Sequence, residues 1–113
     1  MSAPRRGEIW HVGFDPTKGH EQAGVRPALI LSVDAFNASA AKLVTVLPLT
    51  SKPRAVRTRI EVRPPEGGLS VVSYVISEQT RTVSTDRLVK SLGAVSEATM
   101  AKVSDIVRML LGL

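Results

Sequence analysis

The sequence predicts a mostly β protein: five to seven short strands in a small antiparallel barrel or rolled sheet, with one C-terminal helix. Three observations carry this expectation. Short apolar runs at residues 28–33, 43–49 and 71–77 have the length of buried strands. Residues 56–62 alternate strictly, with Val56, Thr58, Ile60 and Val62 on one side and Arg57, Arg59 and Glu61 on the other. Helical spacing of apolar residues occurs only near the end, at Met100, Val103, Val107 and Leu110, with Ile106 beside them.

The elements follow in order. The first strand is Glu8–Phe14, anchored by Ile9, Val12 and Phe14. Asp15, Pro16, Thr17, Lys18 and Gly19 are turn formers, and the polar segment that runs on to Gly24 makes a loop of about ten residues. Residues 28–33 form a buried strand, and residues 34–41 a small polar connection with room for one helical turn. The strand at 43–49 contains Pro48 near its end, where the ladder is expected to terminate. A basic loop at 51–55 leads into the alternating strand 56–62, and Pro64, Pro65, Glu66, Gly67 and Gly68 make a further loop. Strands at 71–77 and 80–83 precede a helix capped by Ser96, with Glu97 in its first turn and Gly112 as its stop.

A chain of 113 residues that is 43% hydrophobic fits one domain, residues 1–113, able to bury a core without staples. The absence of cysteine excludes disulfides, zinc–thiolate sites and cysteine nucleophiles, and suits a reducing cytoplasm. No apolar segment follows the short basic start, and the longest apolar run, residues 28–31, is far too short to span a bilayer. A soluble cytoplasmic protein without membrane contact is expected. The net charge of +5 attracts polyanions or an acidic protein partner. The charge is concentrated: Lys52, Arg54, Arg57, Arg59 and Arg63 fall within twelve residues, against the single carboxylate Glu61.

Few residues can move protons near neutral pH. Of the two histidines, His11 follows Trp10 within a strand and reads as structural, whereas His20 lies in a polar loop beside Glu21. Arg26 stands directly before Pro27 and a buried strand, a placement that suits a rigid bidentate phosphate clamp or an ion pair with Glu21 or Asp15. Thr50 and Ser51 offer two successive hydroxyls at a strand end, for capping or for substrate contact. The scattered carboxylates have no metal-ligand spacing, and neither a phosphate-cradling glycine loop nor a serine nucleophile elbow occurs, so no metal or cofactor is expected. For a basic protein acting on nucleic acid without metal, the natural hydrolytic route uses the RNA 2′-hydroxyl against its own phosphodiester. That route needs a base, an acid and stabilisation of the phosphorane charge, and it excludes DNA.

At Gly7, Glu8, Ile9 and Trp10, then from Asp15-Pro16-Thr17-Lys18-Gly19-His20-Glu21-Gln22-Ala23-Gly24 to Arg26-Pro27-Ala28, the chain closely resembles the MazF/PemK toxin family. The likeness continues through Leu47-Pro48-Leu49-Thr50-Ser51, Glu78-Gln79-Thr80-Arg81-Thr82 and the C-terminal helix. The resemblance implies an SH3-like barrel, a two-fold homodimer, and an endoribonuclease that cuts single-stranded mRNA to leave a 2′,3′-cyclic phosphate and a 5′-hydroxyl. It also implies inhibition by a cognate acidic, MazE-like antitoxin that covers the RNA groove. Carried over by position, Arg26 stabilises the phosphorane and Thr50 holds the scissile phosphate. Glu21, His20 and Glu78 are the other catalytic candidates, with the choice of base among them open. Lys18, Ser51, Lys52, Arg54, Arg57, Arg59 and Gln79 are candidates for RNA contact. One departure is local: PemK-type members carry an Arg-x-Asp-Gln segment, and here the stretch is Ile76-Ser77-Glu78-Gln79. With no arginine at Ile76, more of the charge stabilisation falls on Arg26.

Two other readings compete. CcdB-like gyrase poisons share the barrel but rely on a C-terminal Trp-Gly-Ile, whereas this chain ends Leu111-Gly112-Leu113 and its one tryptophan is Trp10. A non-catalytic SH3-like nucleic-acid-binding module would need no Arg26 and Thr50 pair.

Overall fold

The computed structural model describes residues 3–14 and 24–113. Among the described residues there are seven antiparallel strands: β1 (Glu8–Phe14), β2 (Gly24–Ile30), β3 (Leu43–Thr50), β4 (Arg59–Val62), β5 (Ser73–Ile76), β6 (Arg81–Ser84) and β7 (Leu88–Ala94). A four-residue helix, α1 (Asp34–Asn37), follows β2, and α2 (Glu97–Leu111) closes the chain. The sheet runs in the order β4-β5-β3-β2-β1-β7, with β6 also paired to β3.

Both faces of the central strands are covered, which is why their sequences read as continuous apolar runs. On β1 to β3 the odd positions Ile9, Leu29, Leu47 and Leu49 join Val62, Val75, Val103 and Val107 in a core beneath α2. The even positions Trp10, Val12, Phe14, Ala28, Ile30, Val44 and Val46 join Val83 in a second core on the opposite face. Full burial of one such side chain contributes about 2 kcal/mol.

Several expected boundaries move, each for a physical reason. β2 starts at Gly24 because β1 pairs with it as far as Phe14, opposite Gly24. It stops at Ile30, after which the N–H groups of Leu31 and Ser32 both bond to the Thr45 carbonyl and Val33 is exposed. Pro48 does not end β3. It marks a change of partner: residues 43–46 pair with β6, while Leu49 and Thr50 pair with β5. The alternating stretch 56–62 is a strand only from Arg59, where β5 first supplies a partner at Ile76. Before that the Arg59 N–H bonds to Val56 in a turn and only the Thr58 carbonyl is bonded across, to the Ser77 N–H, so the alternation extends no ladder there. The strand expected at 71–77 shortens to Ser73–Ile76, and the one at 80–83 shifts to Arg81–Ser84. β7 has no counterpart in the sequence reading, because two register irregularities against β1 erase its alternation.

At α2, Ser96 Oγ accepts the Thr99 N–H at 3.1 Å. Glu66 accepts the Ser96 N–H at 2.9 Å and the Thr99 hydroxyl at 2.6 Å. These bonds hold the Glu66 carboxyl below the usual carboxylate range, the Thr99 hydroxyl contributing most. Gly112 ends the helix in the left-handed region, at φ 70°. Of the expected stripe, Val103 and Val107 are buried and Met100 and Ile106 half-buried, but Leu110 is 43% exposed. No helix among the described residues is long and apolar enough to cross a membrane.

Candidate functional site

β1, β2 and β3 are neighbouring interior strands, and the end of β1, the start of β2 and the end of β3 lie toward the same end of the sheet. β1 ends at Phe14 and β2 begins at Gly24; Lys18, His20 and Glu21, between them in sequence, lie outside the described residues. Arg26 is exposed on β2 opposite Val12, and therefore on the face that also bears Phe14. β2 pairs with β3 through Ala28 and Pro48, so continuing that register by two residues brings Arg26 level with Thr50. Pro27 fixes the backbone directly after Arg26, which ties the guanidinium to the rigid part of the sheet.

Thr50 is the last residue of β3 and stands opposite Tyr74. Its Oγ1 accepts the Lys52 N–H at 3.2 Å, which orders the start of the next loop. A hydroxyl that accepts one bond still has its proton to donate, as contact with a phosphate oxygen requires. Ser51, Lys52, Arg54 and Arg57 all follow on the exposed part of this loop.

Arg59 and Glu78 are occupied with each other. The Arg59 Nη2 and Nε lie 2.9 and 3.0 Å from Glu78 Oε2, and the Thr58 hydroxyl donates to Oε1 at 2.7 Å. The Arg59 side chain is only 8% exposed, so it turns inward while Lys52, Arg54 and Arg57 face solvent. Burial pushes the Glu78 carboxyl up, but the bonds from Arg59 and Thr58 outweigh it and hold the group below the usual carboxylate range. A carboxylate with both oxygens engaged and a lowered pKa is a poor proton acceptor. Ile76 is fully buried directly opposite Arg59, so the guanidinium beside Glu78 comes from the neighbouring strand. Arg63 is likewise paired, at 2.7 Å to Glu61. Gln79 is half-buried, and its N–H bonds to the Ile76 carbonyl at 3.1 Å, closing the turn into β6.

The Arg59–Glu78 pair has a testable consequence for stability. A carboxyl with a lowered folded pKa contributes stability that is present above its unfolded pKa and is lost as pH falls through the folded value. Glu78→Gln is therefore expected to cost about 2 kcal/mol at neutral pH, because it leaves a nearly buried guanidinium without its counter-charge. The gap from wild type should close as pH falls below the ordinary carboxylate range and through the lowered folded value. Urea unfolding at neutral pH and in that acid range measures it, and an equal gap at both would contradict the assignment.

Arg81 was missed as a candidate by sequence reasoning. Its guanidinium carbon lies 5.0 Å from the centroid of the Phe14 ring, at the end of β1 opposite Gly24. Its only sequence signal was membership of the Glu78–Thr82 segment. His11 sits mid-strand opposite Pro27, away from this end of the sheet. Among the described residues, no three His, Asp or Glu side chains come together as a metal-holding group.

With this geometry in view, the comparisons with known proteins are decisive. A family model described as PemK-like, MazF-like toxin of type II toxin–antitoxin system matches residues 5–111. The chain belongs to this toxin family. It is 37% identical over 114 residues to endoribonuclease MazF9 of Mycobacterium tuberculosis, covering 96% of this chain and 97% of the relative. Among solved structures, MazF from Deinococcus radiodurans superposes with a TM-score of 0.87 at 28% identity over 100% of both chains. A mycobacterial endoribonuclease in complex with its cognate antitoxin matches at a TM-score of 0.76 and 30% identity, over 100% of this chain and 97% of that one. The mostly β architecture with one long C-terminal helix is thus that of the MazF toxins. The Arg26 and Thr50 edge lies within the matched span of the family.

Proposed function

We propose that this chain is a cytoplasmic endoribonuclease toxin, a single toxin domain that cuts single-stranded mRNA without a metal and acts as a homodimer held in check by a cognate acidic antitoxin. The observation that carries this reading is the β2–β3 register ending at Ala28 and Pro48, with Arg26 two residues beyond it on β2 and Thr50 two residues beyond it on β3, beside a loop presenting Lys52, Arg54 and Arg57. The names of its relatives support the activity, and the solved complexes of relatives with antitoxins support the partner.

The reaction is transesterification. The 2′-hydroxyl loses its proton to the base and attacks the adjacent phosphorus. A P–O2′ bond forms as the P–O5′ bond breaks, and the 5′-oxygen leaves with a proton from Arg26 or from solvent water. Arg26 offers a fixed fork to the two non-bridging oxygens as their charge grows, and Thr50 donates its hydroxyl to the same phosphate. The base that removes the 2′-proton is Glu21 or His20, since Glu78 is committed to Arg59 and Thr58. Lys18, Ser51, Lys52, Arg54, Arg57 and Gln79 align the strand through backbone contacts. Glu78 and Arg59 brace the basic loop against the turn before β6.

Incubation of the purified protein with a long RNA in EDTA tests this directly. Discrete fragments with 2′,3′-cyclic phosphate and 5′-hydroxyl ends are expected, at a rate that falls steeply with added salt. Intact RNA in a retarded complex would instead identify a binding module without catalysis.

A further inference from the structure

We infer that Arg81 is a second phosphate-gripping residue of the nuclease site, holding an RNA phosphodiester next to the one on which Arg26 acts. The inference rests on the function proposed above and names a residue that reading does not use. Three observations converge on it. Arg81 pairs with Val46 at the start of β6, and Val46 belongs to the same core face as Phe14 and Val12. Arg26, opposite Val12, shares that face, so both guanidinium groups rise from one side of the sheet. The Arg81 backbone is level with Val46 and Ile30, but its side chain reaches back over the Phe14 ring, whose partner Gly24 begins the strand carrying Arg26.

The ring does more than locate the side chain. An arginine lying over an aromatic face keeps its planar donor edge oriented, so less freedom is lost when that edge meets an anion. Phe14 is 3% exposed and fixed in the core, which makes it a rigid platform. No carboxylate among the described residues forms an ion pair with Arg81, in contrast to Arg59 and Arg63. A half-buried, pre-oriented cation at the rim of an RNA-cutting edge suits a non-bridging phosphate oxygen. The contact is made equally in the ground state and the transition state, so it should act on binding and leave the chemical step alone.

The test compares wild type with Arg81→Met and Arg81→Lys on a short single-stranded RNA containing one cleavage site. Methionine keeps an aliphatic stem over Phe14 while removing the charge, so folding is retained where alanine would uncover the ring. Arg81→Met is expected to raise KM about tenfold with kcat within about twofold of wild type. Binding to the same oligonucleotide made non-cleavable by a 2′-deoxy residue should show a salt slope smaller by about 0.7. Arg81→Lys should recover the slope and part of the KM. An unchanged KM and slope in a folded Arg81→Met protein would overturn the inference, as would a fall in kcat at constant KM. Failure of wild type itself to cut or bind the RNA would overturn the proposed function, and this inference with it.

Discussion

Replacing Arg26 by alanine is expected to lower the single-turnover cleavage rate about a thousandfold while leaving the thermal unfolding midpoint and the oligomeric state unchanged. The residue is exposed at the start of β2, so it contributes little to the core. Its effect should fall on the phosphorane, whose negative charge no metal is expected to share. Ile76 makes this dependence stronger, because it is buried and supplies no cation at the position where PemK-type relatives carry arginine. Arg26→Lys keeps the charge but loses the two-pronged geometry, and should recover only part of the rate. Near wild-type cleavage by Arg26→Ala would remove Arg26 from the chemistry.

The largest expected effect on stability lies far from that edge, where the turn at Glu66–Gly68 meets β7. Gly68 has φ 70°, and a Cβ built there would overlap the backbone carbonyl of Leu92. From the other side, a Cβ on Gly93 would lie 2.8 Å from the Gly68 nitrogen and 2.9 Å from the Gly67 carbonyl carbon. Both backbones are rigid, so neither can yield as a flexible side chain would. Gly68→Val is expected to cost about 4 kcal/mol or more, a large share of the roughly 5–15 kcal/mol that holds such a domain together. Gly24 is the control. It has φ 76° but nothing among the described residues within 4 Å of an added Cβ, so Gly24→Ala should cost only about 1 kcal/mol. Urea unfolding of the two variants separates backbone strain from collision, and equal losses would contradict the packing described for the junction.

Much of the fold was legible in the sequence because burial on both faces writes itself into composition. The apolar run through Ala28, Leu29 and Ile30 announced a central strand, and Ser96 and Gly112 announced both ends of α2. What stayed hidden depends on partners distant in sequence. Residues 56–58 alternate as a strand does, yet they form no ladder, since of their backbone groups only the Thr58 carbonyl is bonded across, to the Ser77 N–H, whereas β7 pairs with β1 through irregularities that scramble its pattern. The candidate site divides in the same way. Arg26 and Thr50 stand out in the sequence as candidates by their places at strand boundaries and by the family resemblance. The inward turn of Arg59 toward Glu78 does not, since the alternation sets Arg59 beside Arg57 as an outward cation. Arg81 escaped notice because its significance comes from Phe14, far earlier in the chain, and no local spacing records that contact.

The central claim is that the RNA's own 2′-hydroxyl is the nucleophile at the edge formed by Arg26 and Thr50. The most direct measurement uses two RNAs that differ only by a 2′-deoxy residue at a mapped cleavage position, each incubated with the protein in EDTA. The account predicts that the unmodified RNA is cut there to a 2′,3′-cyclic phosphate and that the modified one is not cut at that position. Cleavage of the modified RNA at the same bond, with a 5′-phosphate on the downstream fragment, would show that water is the nucleophile and contradict the account.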